Sequence, residues 1–253
     1  MIKPKISIEV GYNHLGSKYF LKSIVNELLN YPYDFTFQFR TTNLNSFNPK
    51  GSLQLELEYL LEIRNYIKKN TKFNNKIGIA IDSLDEFSLL NKNFDFIKVL
   101  SFTENKDYFF QRIETNKNIY LSCGTEKFEN FLRYNEIAKK RNLSLNFIYT
   151  SFDTEGFDIS KKEIEKLHEI NNLISFGLHQ KNKEVIYLIT TLFNIDRVFI
   201  YINPGFQKSS INYVPDSLHS LSIKEIDSLH EMLSFIENFK TQQPRNEFRQ
   251  FQG

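Results

Sequence analysis

The strongest constraint on the fold is an alternation that repeats eight times along the chain. Short runs rich in Ile, Val and Phe fall at 6–11, 35–39, 77–81, 96–100, 119–122, 145–149, 173–176 and 197–202. They read as parallel strands covered on both faces, which lose the apolar–polar alternation of a half-exposed sheet. Between them lie helical patterns near 17–30, 53–70, 84–92, 105–117, 125–141, 160–171 and 182–194, with a last one over 222–240. Eight such units in 253 residues predict one (β/α)8 TIM barrel over 1–240 and a polar tail over 241–253. A doubly wound open sheet would need fewer strands or a second domain, and no Gly-x-Gly-x-x-Gly follows the first strand.

Local signals agree with the helix starts. Ser17 and Thr125 are placed as N-caps. Ser83 with Glu86, Ser160 with Glu163, and Ser222 with Glu225 have the spacing of a capping box. Two connections are long, 40–52 and 203–221, and both would lie at the carboxyl ends of strands.

Composition narrows the function classes. Hydrophobic residues at 41% and charged residues at 25% allow a large core under a solvated surface. A net charge of +2 gives no footprint for nucleic acid or an anionic membrane, so neither is expected as a partner. No run reaches the roughly eighteen uncharged apolar residues of a membrane span. The single Cys123 has no internal disulfide partner, and the start of the chain has no leader pattern. Both favour a reducing, cytoplasmic setting. The high Phe count (25) and the scarcity of alanine (Ala80 and Ala138 alone) read as composition bias without functional weight.

In a barrel, the carboxyl ends of the strands converge on one face, where chemistry sits. Topology alone gathers Glu9, Asn13, His14, Gln38, Arg40, Asp82, Lys98, Ser101, Ser122, Cys123, Tyr149, Thr150, Asp153, His179, Tyr201, Asn203, Asp216 and His219 there. Glu9 alternates toward the barrel interior, where a carboxylate is costly unless paired or metal-bound. It is either a catalytic group or half of a structural ion pair. Lys98, inside Phe96-Ile97-Lys98-Val99-Leu100, must also point inward. It suits anion binding, with a Schiff-base role as the alternative. Asn13 and His14 are site residues or shape a turn. His179 is a metal ligand or a base. His168 and His230 lie in helical patterns and read as surface or packing residues. Cys123, beside Gly124, reads as a small buried residue, because no partner for a catalytic thiol is evident.

The segment Ile8-Glu9-Val10-Gly11-Tyr12-Asn13-His14-Leu15-Gly16-Ser17 resembles the first-strand motif of the sialic acid synthase family, E-I-G-x-N-H-x-G. Later segments resemble that family in the same order: Phe35-Thr36-Phe37-Gln38, Asp95-Phe96-Ile97-Lys98-Val99-Leu100-Ser101, Ile119-Tyr120-Leu121-Ser122-Cys123-Gly124, and Pro215-Asp216-Ser217-Leu218-His219. Ser175-Phe176-Gly177-Leu178-His179 and Phe199-Ile200-Tyr201-Ile202-Asn203-Pro204 stand where the family carries its two metal-binding histidines.

The resemblance implies condensation of phosphoenolpyruvate with an N-acetylated amino sugar, in surface-glycan biosynthesis, with a divalent metal such as manganese or magnesium. Glu9, His14 and Lys98 would then be catalytic. Asn13, Gln38, Arg40, Lys98, Ser101, Ser122 and Asp216 would bind substrate. His179 and Asn203 would stand at the metal, and a homodimer is the expected assembly.

The chain departs from the family at several points. Asn203 replaces the second histidine, and an amide is a poorer ligand than imidazole. Tyr201 and Ile202 replace a glutamate and a lysine, and Thr36 replaces a phosphate-binding lysine, for which Arg40 is the available substitute. The family's C-terminal antifreeze-like domain has no counterpart within these 253 residues. Charged contacts are worth about 1.5–3 kcal/mol each. These losses favour, as alternatives, a non-catalytic sugar-binding or partner-type relative, or a different barrel aldolase or isomerase.

Overall fold

In the computed structural model the residues described are 5–39, 53–124, 126–151, 159–171, 174–179, 182–203 and 220–241. Eight parallel strands follow in chain order: β1 (Lys5–Gly11), β2 (Asp34–Gln38), β3 (Ile77–Ile81), β4 (Phe96–Val99), β5 (Asn118–Ser122), β6 (Ser144–Ser151), β7 (Ile174–Leu178) and β8 (Ile195–Asn203). Each pairs with the next, and β8 closes on β1 through Ser7↔Phe199 and Glu9↔Tyr201. The outer ring comprises α1 (Lys18–Leu28), α2 (Leu57–Asn70), α3 (Phe87–Asn93), α4 (Lys106–Arg112), α5 (Phe128–Lys140), α6 (Lys161–Ile170), α7 (Lys183–Leu192) and α8 (Ile223–Thr241). This is the closed (β/α)8 barrel expected from the alternation.

Period-2 geometry sends alternate strand residues to opposite faces and produces two cores. Outward residues such as Ile8, Phe35, Phe37, Ile97, Val99, Phe147 and Phe176 pack under the helices in one continuous cluster. Inward residues Phe96, Tyr120, Ile148 and Phe199 form a separate cluster inside the barrel. Phe96, Tyr120 and Phe199 meet edge-to-face with centroids 5.3–6.3 Å apart. Gly78 makes room for this layer: a Cβ there would lie 2.0 Å from the Phe96 ring.

Below the aromatic layer, at the amino ends of the strands, Arg197 is buried. Its Nη1 donates to Asp34 Oδ2 at 2.5 Å. The guanidinium lies 4.3 Å from the Phe96 centroid. Asp34 Oδ1 also accepts the Lys76 backbone N–H at 2.6 Å, which ties β2 to the start of β3.

Several local expectations change. Ser83 does not cap α3: its Oγ accepts the Asp85 N–H at 3.3 Å, and left-handed Glu86 opens the helix without a side-chain cap. The local turn therefore wins the hydroxyl. Ser17 does cap α1. Ser222 and Glu225 form the full reciprocal box. At α6, Ser160 caps through the Glu163 N–H, but the Glu163 carboxylate accepts from Tyr149 Oη at 2.9 Å and does not reach back. Thr125 lies outside the described residues. The fourth helix ends at Arg112, because Thr115 and Lys117 turn back to bond Asn91 and Phe94. A short strand with no forerunner in the pattern, β9 (Leu221–Ser222), pairs with the end of β8.

Arg197→Met would leave the Asp34 carboxylate buried without its partner. We expect a loss of about 3–5 kcal/mol, read as a lowered urea midpoint at unchanged slope. An Arg197→Met/Asp34→Leu double variant should recover part of it. A single variant as stable as the parent would contradict this account.

Candidate functional site

The carboxyl ends of the strands bring one inner face together: Glu9 from β1, Gln38 from β2, Asp82 just after β3, Lys98 from β4, Ser122 from β5, Thr150 from β6, His179 just after β7, and Tyr201 and Asn203 from β8. At its centre the Lys98 ammonium donates to the Glu9 carboxylate. The two residues are 2% and 4% exposed, so the pair sits in the barrel interior and not on its rim. β1 and β4 are not neighbours. The bridge passes over the inward side chains of β2 and β3, where Thr36 and Ala80 are small enough to leave the space. Lys98 Nζ also lies 5.1 Å from the Phe199 ring centroid and 5.5 Å from that of Tyr201. Those ring faces favour its charge.

The first-strand motif has a structural explanation. Strand pairing shifts register between Glu9 and Gly11, and Gly11 adopts φ 54°. This irregularity, with Gly16 at φ 72°, turns the chain sharply after β1. Asn13 is fully buried in that turn. Its Nδ2 donates to the Ile202 carbonyl at 2.5 Å and fastens the turn to β8. Asn13 Oδ1 has no hydrogen-bond partner among the described residues. His14 is 2% exposed, and its Nδ1 accepts the Gly16 N–H at 3.0 Å. An accepting Nδ1 requires the proton on Nε2. Burial pushes the imidazole down to about 4, so His14 is a neutral N–H donor at physiological pH.

Ser122 Oγ and Thr150 Oγ1 are hydrogen-bonded at 3.2 Å. The loop after β4 is set by an ion pair that sequence reading missed. Lys106 Nζ donates to the Ser101 carbonyl at 2.6 Å and to Glu126 Oε1 at 2.7 Å. Burial alone would raise the Glu126 carboxyl, but the Lys106 ammonium and the Asn130 amide hold it below the usual range. A Cβ on Gly124 would come within 2.7 Å of Ser101 Cβ, so glycine is required where the two loops meet.

Two residues placed at the mouth by topology point elsewhere. Tyr149 belongs to the outer layer: its hydroxyl serves α6, donating to Glu163 and accepting the Ser160 N–H at 3.1 Å. Cys123 is also in the outer core, where burial pushes its thiol up and away from the reactive thiolate. His230, as expected, is a packing residue between Tyr31 and Tyr33. Arg40, Asp153, Asp216 and His219 lie outside the described residues.

His179 stacks on Tyr201, with centroids 4.3 Å apart and planes 27° from parallel. Asn203 is on the same strand as Tyr201, two residues on. Together they offer one imidazole nitrogen and one neutral amide oxygen. Among the described residues no group of three His, Cys, Asp or Glu is placed to hold a metal ion. Of the described residues, His179 and Asn203 are the two that would hold a divalent cation at this face, and the amide oxygen is the weaker donor.

The His14 proton has a measurable consequence. The unfolded chain takes it near pH 6.5, whereas the folded protein takes it only near pH 4. This contribution to stability is complete above pH 6.5 and is lost as pH falls toward 4, by about 3 kcal/mol. Urea titrations at pH 7 and pH 4.5 should show a drop that His14→Gln reduces. An equal drop in both proteins would count against a buried neutral imidazole.

No protein-family model matches this chain, and no curated protein matches its sequence. Solved structures do match its fold. One is named as a spore coat polysaccharide biosynthesis protein E from Chromobacterium violaceum, with TM-score 0.75 and 12% identity over 97% of this chain and 78% of that one. The N-acetylneuraminic acid (sialic acid) synthetase of Leptospira borgpetersenii, solved in complex with citrate, gives TM-score 0.75 and 14% identity over 96% and 87%. The phospho-2-dehydro-3-deoxyheptonate aldolase (DAHP synthase) of Thermotoga maritima gives 0.69 and 12% over 94% and 70%. At these identities the shared property is the barrel.

Proposed function

We propose that this chain is a divergent barrel synthase that condenses phosphoenolpyruvate with an N-acetylated amino sugar in the making of a surface glycan. The observation that carries the reading is the buried Glu9–Lys98 pair at the carboxyl end of the barrel, within the motif that resembles the sialic acid synthases. The likeness of the fold to a sialic acid synthetase and a DAHP synthase supports it. So does the citrate held by the Leptospira protein, a small polycarboxylate of the same charge class as phosphoenolpyruvate.

In this reading Lys98 holds a carboxylate or phosphate oxygen of phosphoenolpyruvate. Glu9 takes or gives a proton at the reacting centre. His14, as a neutral Nε2–H donor, stabilises charge growing on an oxygen without supplying a proton. Ser101 and Ser122 are hydroxyls available to the substrate, and Asn13 Oδ1 is an acceptor awaiting a donor. Arg40 and Asp216 would complete the substrate contacts, and His179 with Asn203 would face the sugar. A cytoplasmic location and a homodimer belong to the same reading. Among the described residues no helix is long and apolar enough to cross a membrane.

A second reading, sugar binding without condensation, is favoured by one observation: Asn203 stands where the resembled family carries its second metal-binding histidine. One assay separates the two. Purified protein is incubated with phosphoenolpyruvate and a panel of N-acetylated amino sugars, with and without manganese or magnesium, and phosphate release is followed. The synthase reading expects release that requires a sugar and falls by about 100-fold or more in Lys98→Met. Sugar binding by calorimetry with no release under any condition would sink the synthase reading and favour the second.

A further inference from the structure

Lys98 is already occupied. Its ammonium donates to the Glu9 carboxylate, and both side chains are almost fully enclosed. On the inner face of the strands' carboxyl-terminal halves the described side chains of fixed charge are Glu9, Lys98 and, by alternation with Ala80, Asp82. Glu9 already neutralises Lys98, so a small anion added beside the intact pair would find no net positive charge from it in a poorly screened interior. The aromatic layer of Phe96, Tyr120 and Phe199 lies below Lys98, so nothing can approach it from the amino end of the barrel. Lys106, the nearby buried lysine on α4, is engaged by Glu126 and the Ser101 carbonyl. Among the described residues, Lys98 therefore offers its full charge to a carboxylate or phosphate oxygen only when Glu9 has left it.

We propose that Glu9 is a built-in competitor for the anion site: a substrate carboxylate or phosphate binds by displacing the Glu9 carboxylate from Lys98, and the displacement frees Glu9 to act on the substrate. The proposal rests on the reading of Lys98 as the anion holder and adds a gate to it. While the site is empty the carboxylate is engaged by Lys98. It becomes available only when the anion has taken its place. The groups beside Glu9 in register on the neighbouring strands are uncharged: Thr36 on β2, whose hydroxyl is hydrogen-bonded to Ser7, and Tyr201 on β8.

The usual expectation for a site residue is that its loss weakens binding. Competition gives the opposite sign. Glu9→Gln should bind phosphoenolpyruvate about tenfold more tightly than the parent, because a neutral amide competes poorly for the ammonium, while Lys98→Met should bind it about tenfold more weakly. The Glu9→Gln/Lys98→Met double variant should bind no more tightly than Lys98→Met. Calorimetric titration in metal-free buffer, with phosphoenolpyruvate and then inorganic phosphate as probes, reads all four proteins.

Equal or weaker binding by Glu9→Gln overturns the proposal, as does the absence of binding by both the parent and Glu9→Gln. Should Glu9→Gln not fold, crystals of the parent soaked in phosphoenolpyruvate decide. An anion oxygen on Lys98 Nζ with Glu9 turned away supports displacement, and an anion bound with Glu9 still on Lys98 overturns it. The synthase reading fails separately. Tighter binding by Glu9→Gln, with no phosphate released from phosphoenolpyruvate by the parent in the presence of any sugar, leaves the competition standing and removes the condensation. Phosphate release by the parent with no gain in Glu9→Gln does the reverse.

Discussion

A carboxylate and an ammonium buried together in the middle of a barrel constrain everything around them. Each alone would cost several kcal/mol to keep away from water. Glu9 and Lys98 therefore have to meet, although they stand on strands separated by two others. That requirement accounts for the side chains between them. Thr36 and Ala80 are short where the bridge passes, and Gly78 lets Phe96 fold inward below it. It also accounts for the glycine two residues after Glu9, because the register shift at Gly11 ends β1 just above the carboxylate.

Most of the barrel was legible because its signal is redundant. Eight apolar runs cannot close in many ways, and errors of one or two residues at the ends of β2, β4 or α6 leave the topology unchanged. Glu9 and Lys98 were legible for a different reason: a charge flanked by Ile, Val or Phe on both sides has nowhere to go but the interior. What stayed hidden was the phase of alternation in strands apolar on both faces. In Phe147-Ile148-Tyr149-Thr150, either set can face in, and only pairing with β5 and β7 shows that Thr150 lines the mouth while Tyr149 holds α6. Partnerships distant in sequence were hidden for the same reason. Nothing in the helical pattern around Lys106 signals that its ammonium supports the Ser101 carbonyl and Glu126. Ser83 shows the converse: the spacing of a capping box is necessary but not sufficient when a nearer backbone N–H competes for the hydroxyl.

The family resemblance located the site better than it described it. Its first-strand motif combines two separable parts. Gly11 and Gly16 serve the turn, and Asn13 spends its amide N–H on the Ile202 carbonyl, so these residues would persist for structural reasons alone. His14 is different. Its Nδ1 is satisfied by the loop, and burial keeps it neutral, which suits an uncharged donor better than an acid or base. On the opposite wall His179 stacks on Tyr201, which fixes the plane of its imidazole.

The two interior ion pairs lie on opposite sides of one aromatic layer. Arg197–Asp34 lies at the amino end, buried against Phe96 and tied to the backbone of β3. Glu9–Lys98 lies at the carboxyl end, above the same rings. The aromatic layer between them is packed edge-to-face, and the hydrogen-bonded hydroxyls of Ser7 and Thr36 lie beside it. The lower pair has no ligand to yield to, so its geometry can be tight and permanent. The upper pair lies on the carboxyl side of the rings and is held partly by ring faces, which favour the Lys98 charge whichever carboxylate accompanies it. A barrel built this way can exchange the partner of Lys98 without loosening its base. That separation is what would allow one buried charge to serve both the resting fold and a ligand.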